Sequence, residues 1–226
     1  MIYLVFFLLV ININANSQNR WSIDRDGSIS WISNNNLPHF DHIEMSGLKV
    51  STVLRYGIDA NGAFQLNRSM TWPMLRTIPN NTHASLNRRI VWYVIDMVLV
   101  NKEPLANEKV KEIRLDGVMT VKSVFDSKSL ELVRELFPSV SNPAFCEKYT
   151  IKNTGQSSVY VEIPSSVSVI ATDEKKGVYG SYRLVSTISG QSSVSLKQGE
   201  ELSFSLVIAG YKNDEPEIKF DIDSEL

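Results

Sequence analysis

Along most of the chain apolar and polar positions alternate with a period of two, the signature of half-buried β-strands. Leu48, Val50, Thr52, Leu54 and Tyr56 share one face, while Lys49, Ser51 and Arg55 take the other. Gly57-Ile58-Asp59-Ala60-Asn61-Gly62 is rich in residues that tolerate positive φ. Phe64, Leu66, Met70 and Trp72 then alternate with Gln65, Asn67, Ser69 and Thr71. Two such runs around a turn predict a hairpin with one wet face. Residues 90–100 differ, because Ile90, Trp92, Val94 and Val98 on one face are matched by Val91, Tyr93, Ile95, Met97 and Leu99 on the other. That pattern predicts a central strand covered on both sides. Residues 109–125 hold one or two strands around Asp116-Gly117, and residues 130–137 hold another. Further strands fall on either side of Asn153-Thr154-Gly155, at residues 182–188 and at residues 202–208. About ten or more short strands, with turn signals and no helical period, predict an all-β fold, an antiparallel β-sandwich.

The first residues change the picture of where this sandwich works. Residues 2–11 are an unbroken apolar run, followed by small and polar residues up to Ser17. Such a run, half the length of a membrane span, predicts a secretory signal peptide over residues 1–15, with cleavage after Ala15. The β-sandwich domain is expected over residues 20–212, in the periplasm or outside the cell, with no membrane contact once the signal is removed. Cys146 is the single cysteine, so no intrachain disulfide forms, and its setting in Phe145-Cys146-Glu147-Lys148-Tyr149 predicts a buried strand thiol. The formal charge is −2 with the signs interspersed, which leaves nucleic-acid binding without electrostatic support. Residues 213–226 turn acidic, and Asp223-Ser224-Glu225 has the chemistry of a helix start. A solvated acidic tail is the competing reading.

One segment does not alternate. Residues 72–86 contain two prolines together with Trp72, Arg76, Asn80, Asn81 and His83, a loop composition that points to function. Sugars are held by aromatic faces and by amide, guanidinium and carboxylate groups. Trp72, Arg76, Asn80, Asn81 and His83 supply that mixture, and Asp41, His42 and Glu44 are candidates to converge with them as a substrate-binding set. For Trp72 core packing is favoured over a sugar contact, and Trp21, Trp31 and Trp92 are expected in the core. If residues 39–45 are extended, His39 and Asp41 share one face and His42 and Glu44 the other. That divides any four-ligand metal site and a carboxylate pair built on Asp41 and Glu44, while a zinc site through His39, Asp41 and His83 has nothing to fix its third ligand. No metal, no cofactor and no catalytic residue is expected within this chain. Motifs of serine hydrolases, nucleotide-binding loops and zinc proteases are missing from the sequence.

The segments His39-Phe40-Asp41-His42-Ile43-Glu44-Met45-Ser46-Gly47 and Arg76-Thr77-Ile78-Pro79-Asn80-Asn81-Thr82-His83-Ala84-Ser85-Leu86 resemble the N-terminal β-sandwich of secreted Bacteroidota glycoside hydrolases. In those enzymes the sandwich precedes an (α/α)6 barrel of the six-hairpin type. The resemblance spans about residues 20–222 and implies a supersandwich-like fold. It also implies that residues 213–226 are an acidic linker running into the first barrel helix. The barrel that would carry the general acid and base has no counterpart in these 226 residues. What the resemblance implies is therefore a non-catalytic module whose partners are the (α/α)6 catalytic domain and a poly- or oligosaccharide. A free-standing carbohydrate-binding module and a surface interaction protein without a sugar role remain as alternatives.

Overall fold

A computed structural model describes residues 20–33, 38–79 and 84–226. Within them the chain forms seventeen strands. In order these are β1 (Ser22–Ile23), β2 (Ile29–Ile32), β3 (His39–Ser46), β4 (Ser51–Ile58), β5 (Phe64–Arg76) and β6 (Ser85–Ile90). There follow β7 (Leu99–Val100), β8 (Glu103–Pro104), β9 (Lys109–Leu115), β10 (Met119–Phe125), β11 (Leu130–Pro138) and β12 (Ala144–Asn153). The last five are β13 (Val159–Glu162), β14 (Ser166–Ala171), β15 (Tyr182–Gly190), β16 (Ser193–Leu196) and β17 (Glu201–Lys212).

Antiparallel pairing throughout gathers these strands into three sheets. The largest has nine strands in the order β1-β2-β9-β10-β11-β12-β17-β15-β14. Two four-stranded sheets, β3-β4-β5-β6 and β16-β13-β7-β8, complete the fold. A single apolar core runs through all three, with β5 against β17, β3 against β11 and β16 against β17. The expected all-β sandwich is present. Its strands obey the alternation from which it was expected: in β4, Thr52, Leu54 and Tyr56 are buried while Arg55 is exposed.

The β4–β5 hairpin is tighter than its composition suggests. β4 runs on through Ile58, and the turn is confined to residues 59–63. Asp59 Oδ1 accepts the backbone N–H groups of Asn61 at 2.8 Å and Ala63 at 3.0 Å, and Gly62 supplies the positive φ of 89°. An aspartate that caps its own turn needs only one glycine here.

Residues 90–100 are not the central strand expected of them. β6 ends at Ile90, Val94–Met97 is a 3-10 turn, and only Leu99–Val100 is extended. Val94 and Ile95 in the turn and Val98 and Val100 after it are all buried. A short apolar run is compatible with either geometry, and alternation alone does not separate them. Trp92 is not the core residue expected, since it is 37% exposed. Trp31 is buried, and Trp21 is partly buried against the same core.

The acidic end is ordered on the sandwich instead of trailing into solvent. Phe220 and Ile222 pack against the core, and Arg183 binds Glu217 at 2.6 Å. A single helical turn, α1 (Ile222–Glu225), is capped by the side chain of Asp221. The cap therefore lies two residues before the expected Asp223. Lys148 holds Asp223 at 2.6 Å, and the Asn142 amide donates to Glu225 at 2.7 Å.

Candidate functional site

The loop-rich segment begins where β5 loses register with β6. Trp72 pairs with Leu86, but the next paired residue is Arg76, opposite Ser85. Pro73, Met74 and Leu75 bulge out between them, since proline cannot donate to the ladder. Beyond the bulge the backbone is fastened to the β14–β15 connection. The Arg76 carbonyl accepts from the Val178 N–H at 2.9 Å and from the Tyr182 hydroxyl. Thr77 N–H donates to the Ala84 carbonyl at 3.0 Å, and Ile78 N–H to the Lys176 carbonyl at 2.8 Å. Asn80, Asn81 and His83, three of the candidate sugar contacts, lie outside the described residues.

Trp72 is fully buried, so it offers no face to a sugar ring. Its indole N–H donates to the Pro143 carbonyl at 2.8 Å. Its ring lies against Gly210, where an added Cβ would approach within 2.8 Å. The phase of β5 puts it there, in step with Phe64, Leu66 and Met70. Of its two expected roles, it has the packing role.

Asp41, His42 and Glu44 do not converge with Arg76. They lie on β3, whose register runs His42↔Arg55 and Glu44↔Val53, continuing to Asn67 and Ser69 on β5 and Arg89 on β6. From Glu44, the Arg76 position is two strands across, about 10 Å, and at least four β6 residues along, about 13 Å. Asp41 faces the other way, with Oδ2 3.8 Å from His39 Nε2. The two carboxylates thus lie on opposite faces, as β-geometry requires, and cannot flank one bond as a glycosidase pair does. Among the described residues no three His, Cys, Asp or Glu side chains come together as metal ligands.

What β3 does build is a polar sheet face. Glu44 accepts from the Ser51 hydroxyl at 2.9 Å, Arg55 donates to Ser69 at 3.1 Å, and Arg89 donates to the Asn67 carbonyl oxygen at 3.2 Å. Beside them, Phe40, His42, Arg55, Gln65 and Asn67 line an open depression of about 390 Å³. Phe40 is exposed and rests on Gly57, where a Cβ would stand 2.3 Å from its ring. A ring on a glycine, flanked by amide and guanidinium donors, has the chemistry to contact a hydroxylated ligand.

The other end of this sheet is apolar. Lys49, Met74, Leu75, Pro143, Tyr211 and Ile218 surround a groove of about 300 Å³. Met74, Leu48 and Val140 are exposed beside it, with Leu48 N–H bonded to the Val140 carbonyl at 2.9 Å. The Arg76 segment leaves β5 at this same end.

Sequence reasoning missed a buried ionic network. Arg68 and Arg134 have no solvent exposure at all, and neither does Glu147. Arg68 donates twice to Glu147, through Nε to Oε1 and through Nη2 to Oε2 at 2.6 Å, and once to the Trp92 carbonyl at 3.0 Å. The Tyr149 hydroxyl donates to Glu147 as well. Arg134 meets Glu108 at 2.8 Å and Ser123 at 3.0 Å, and its guanidinium lies 5.1 Å and 5.3 Å from the Phe64 and Tyr93 ring centres. Burial pushes the Tyr93 phenol well above its usual value, against the opposing pull of Arg134. The signal was present in phase: Arg68 falls in step with Leu66 and Met70, Arg134 with Leu132 and Leu136, Glu147 with Phe145 and Tyr149.

Cys146 is buried, as expected, and burial pushes its thiol up to about 12, which leaves no thiolate for nucleophilic chemistry near neutrality. No protein-family model matches the chain, and no curated protein sequence matches it.

Proposed function

We propose that this chain is a non-catalytic β-sandwich module of a secreted, carbohydrate-degrading enzyme. It packs against an (α/α)6 catalytic barrel and walls one end of the substrate cleft. The resemblance of residues 39–47 and 76–86 to such modules motivates the reading. The observation that carries it is the apolar end, where Met74, Leu48 and Val140 are exposed around a groove beside the anchored Arg76 segment. An end of this kind matches a covering apolar body, and the neighbouring Arg76 then reaches the rim of the cleft. Carbohydrate chemistry belongs to the barrel in this reading, because Asp41 and Glu44 diverge on β3.

The test begins with the DNA adjoining the coding sequence, which is expected to encode helical hairpins. Co-expressed with that barrel, the full chain should form a one-to-one complex by sedimentation, and Met74→Glu should weaken it at least tenfold. No barrel reading frame nearby, or release of reducing sugar from glycans by the chain alone and its loss in Glu44→Gln, would overturn the reading.

A second reading, a carbohydrate-binding module in its own right, draws on the depression under Phe40. It predicts retardation of the chain in gels containing xylan, β-glucan or polygalacturonate, relieved by Phe40→Ala. Unchanged mobility in all three gels rejects it.

A further inference from the structure

The nine-stranded sheet ends at β14, and this edge lacks the devices that blunt the others. Natural sheet edges are kept from pairing by charge, proline, bulges or shortness. The other edges among the described residues follow that practice. β1 and β8 are two residues long, and β8 contains Pro104. β3 carries Asp41, His42 and Glu44, and β6 carries exposed Arg88 and Arg89. β16 is neutral but four residues long, with Leu196 buried.

β14 reads Ser166-Val167-Ser168-Val169-Ile170-Ala171, and all six residues are exposed. Val167 is 64% exposed, Val169 53% and Ile170 44%. The strand has no charged residue and no proline, and its six pairs with β15 run without a register shift. A regular strand leaves a straight row of backbone N–H and C=O groups on its free side, ready to accept another strand.

We propose that β14 is a self-pairing edge, along which two copies of this chain meet antiparallel and join their nine-stranded sheets into one continuous sheet. A second copy fits better than a foreign peptide for three reasons. An antiparallel edge is complementary to itself about a twofold axis normal to the sheet, so the contact closes as a dimer. Such an axis sets like against like, which a charged strand cannot accept and this neutral one can. Foreign strands are selected by pockets for their side chains, and no β14 residue lines the depression or the groove described above. With Ser168 on the axis, Val167 of each copy faces Val169 of the other, a β-branched pair on one face. A six-residue contact buries well under the ~800 Å² per partner of a standard interface. The dimer is accordingly weak and reversible, with a dissociation constant on the order of 100 μM. It does not depend on the proposed function, whose docking end is built from β5, β17, the β3–β4 and β11–β12 connections and the acidic tail.

Sedimentation velocity on the full chain, from ~1 to ~500 μM, tests this directly. The expected result is a monomer at the low end and a discrete dimer at the high end. Hydrogen exchange should show β14 amides gaining protection as concentration rises. Val169→Lys should raise the dissociation constant at least tenfold, while Val140→Lys, at the apolar end, leaves it unchanged. A monomer at every concentration overturns the proposal. So do a dimer indifferent to Val169→Lys, open-ended fibres, or protection of β14 only inside a complex with a different protein. Should Val169→Lys lose cooperative unfolding, the concentration dependence of β14 protection in the unaltered chain decides the matter alone.

Discussion

Replacing Glu147 by glutamine should be among the most damaging single changes available to this fold. Glu147 has no solvent exposure and receives two bonds from Arg68 and one from Tyr149. Burial works hardest against the Arg68 charge, yet the Glu147 carboxylate and the Tyr149 and Tyr93 phenols together outweigh it, so the guanidinium is held above its ordinary value. An arginine cannot escape by losing its proton, as a buried lysine can. Glu147→Gln therefore leaves a full positive charge in the core with only neutral acceptors, the Trp92 carbonyl at 3.0 Å and one amide oxygen. Breaking one side of a buried pair costs about 3–5 kcal/mol, a large share of the ~5–15 kcal/mol that holds a domain folded. With an m-value of about 2 kcal/mol/M, the urea midpoint should fall by roughly 1.5–2.5 M, followed by tryptophan fluorescence at 25 °C. Replacing both partners, as in Arg68→Met with Glu147→Leu, should recover most of the loss, because apolar substitutes of similar volume are often tolerated. A loss below about 1 kcal/mol for Glu147→Gln, or a double variant no better than the single one, would refute the reasoning.

Gly210→Ala drives a Cβ to within 2.8 Å of the Trp72 ring and should cost about 1–3 kcal/mol by overpacking, read from the same urea transitions. Trp72→Phe removes the bond to the Pro143 carbonyl, but Gly210 N–H also donates there at 3.0 Å. Its hydrogen-bond loss should therefore stay near 1 kcal/mol, and a loss above about 3 kcal/mol would point to a cavity instead. Cys146 should resist Ellman's reagent at pH 8 until the chain unfolds, and rapid labelling of the native protein would contradict its burial. Its raised thiol also sets a pH dependence. The contribution is fully present below the unfolded thiol's value of about 8.5 and is lost as pH climbs toward the folded value of about 12. The stability advantage of the unaltered chain over Cys146→Ala should thus shrink between pH 8 and pH 10.5, and a constant gap would reject the shift.

The β4–β5 hairpin and the β9–β10–β11 run were legible because one face of each is wet; β17 shows that contrast only at its start, since residues 204–211 are buried on both faces. Alternation records the contrast between solvent and core, and where that contrast exists the period is unambiguous. It fails at residues 90–100, where Val94 and Ile95 enter the core from a 3-10 turn, Val98 follows it, and Val91, Trp92 and Met97 are exposed. Position along the period does not reveal whether a run apolar on both sides is straight or coiled. The bulge at Pro73–Leu75 was legible as a break but not as the start of an anchored segment. Its anchors, Val178 and Tyr182, are about a hundred residues away in sequence.

The candidate site shows the same division more sharply. That Asp41 and Glu44 would face apart follows from β3 alone, and the structure has them so. Whether His42 and Glu44 would meet Arg76 depended on the pairing order β3-β4-β5 and on where β5 slips, which no local pattern encodes. Trp72 and Arg68 make the point in opposite directions. Both lie on the inward phase of β5, yet the loop composition beyond it kept a sugar contact open for the tryptophan, and the arginine drew no assignment. Phase was the better guide in each case: a period-two strand assigns a side chain to a face before its chemistry is considered. The chemistry then dictates what must be waiting there, and for Arg68 that is Glu147, supplied by β12 from the facing sheet. An inward arginine on a strand is therefore a long-range statement, since it requires a buried acid elsewhere in the chain, on a strand for Arg68 and just before β9 for Arg134. Glu147, in step with Phe145 and Tyr149, was the residue answering that requirement.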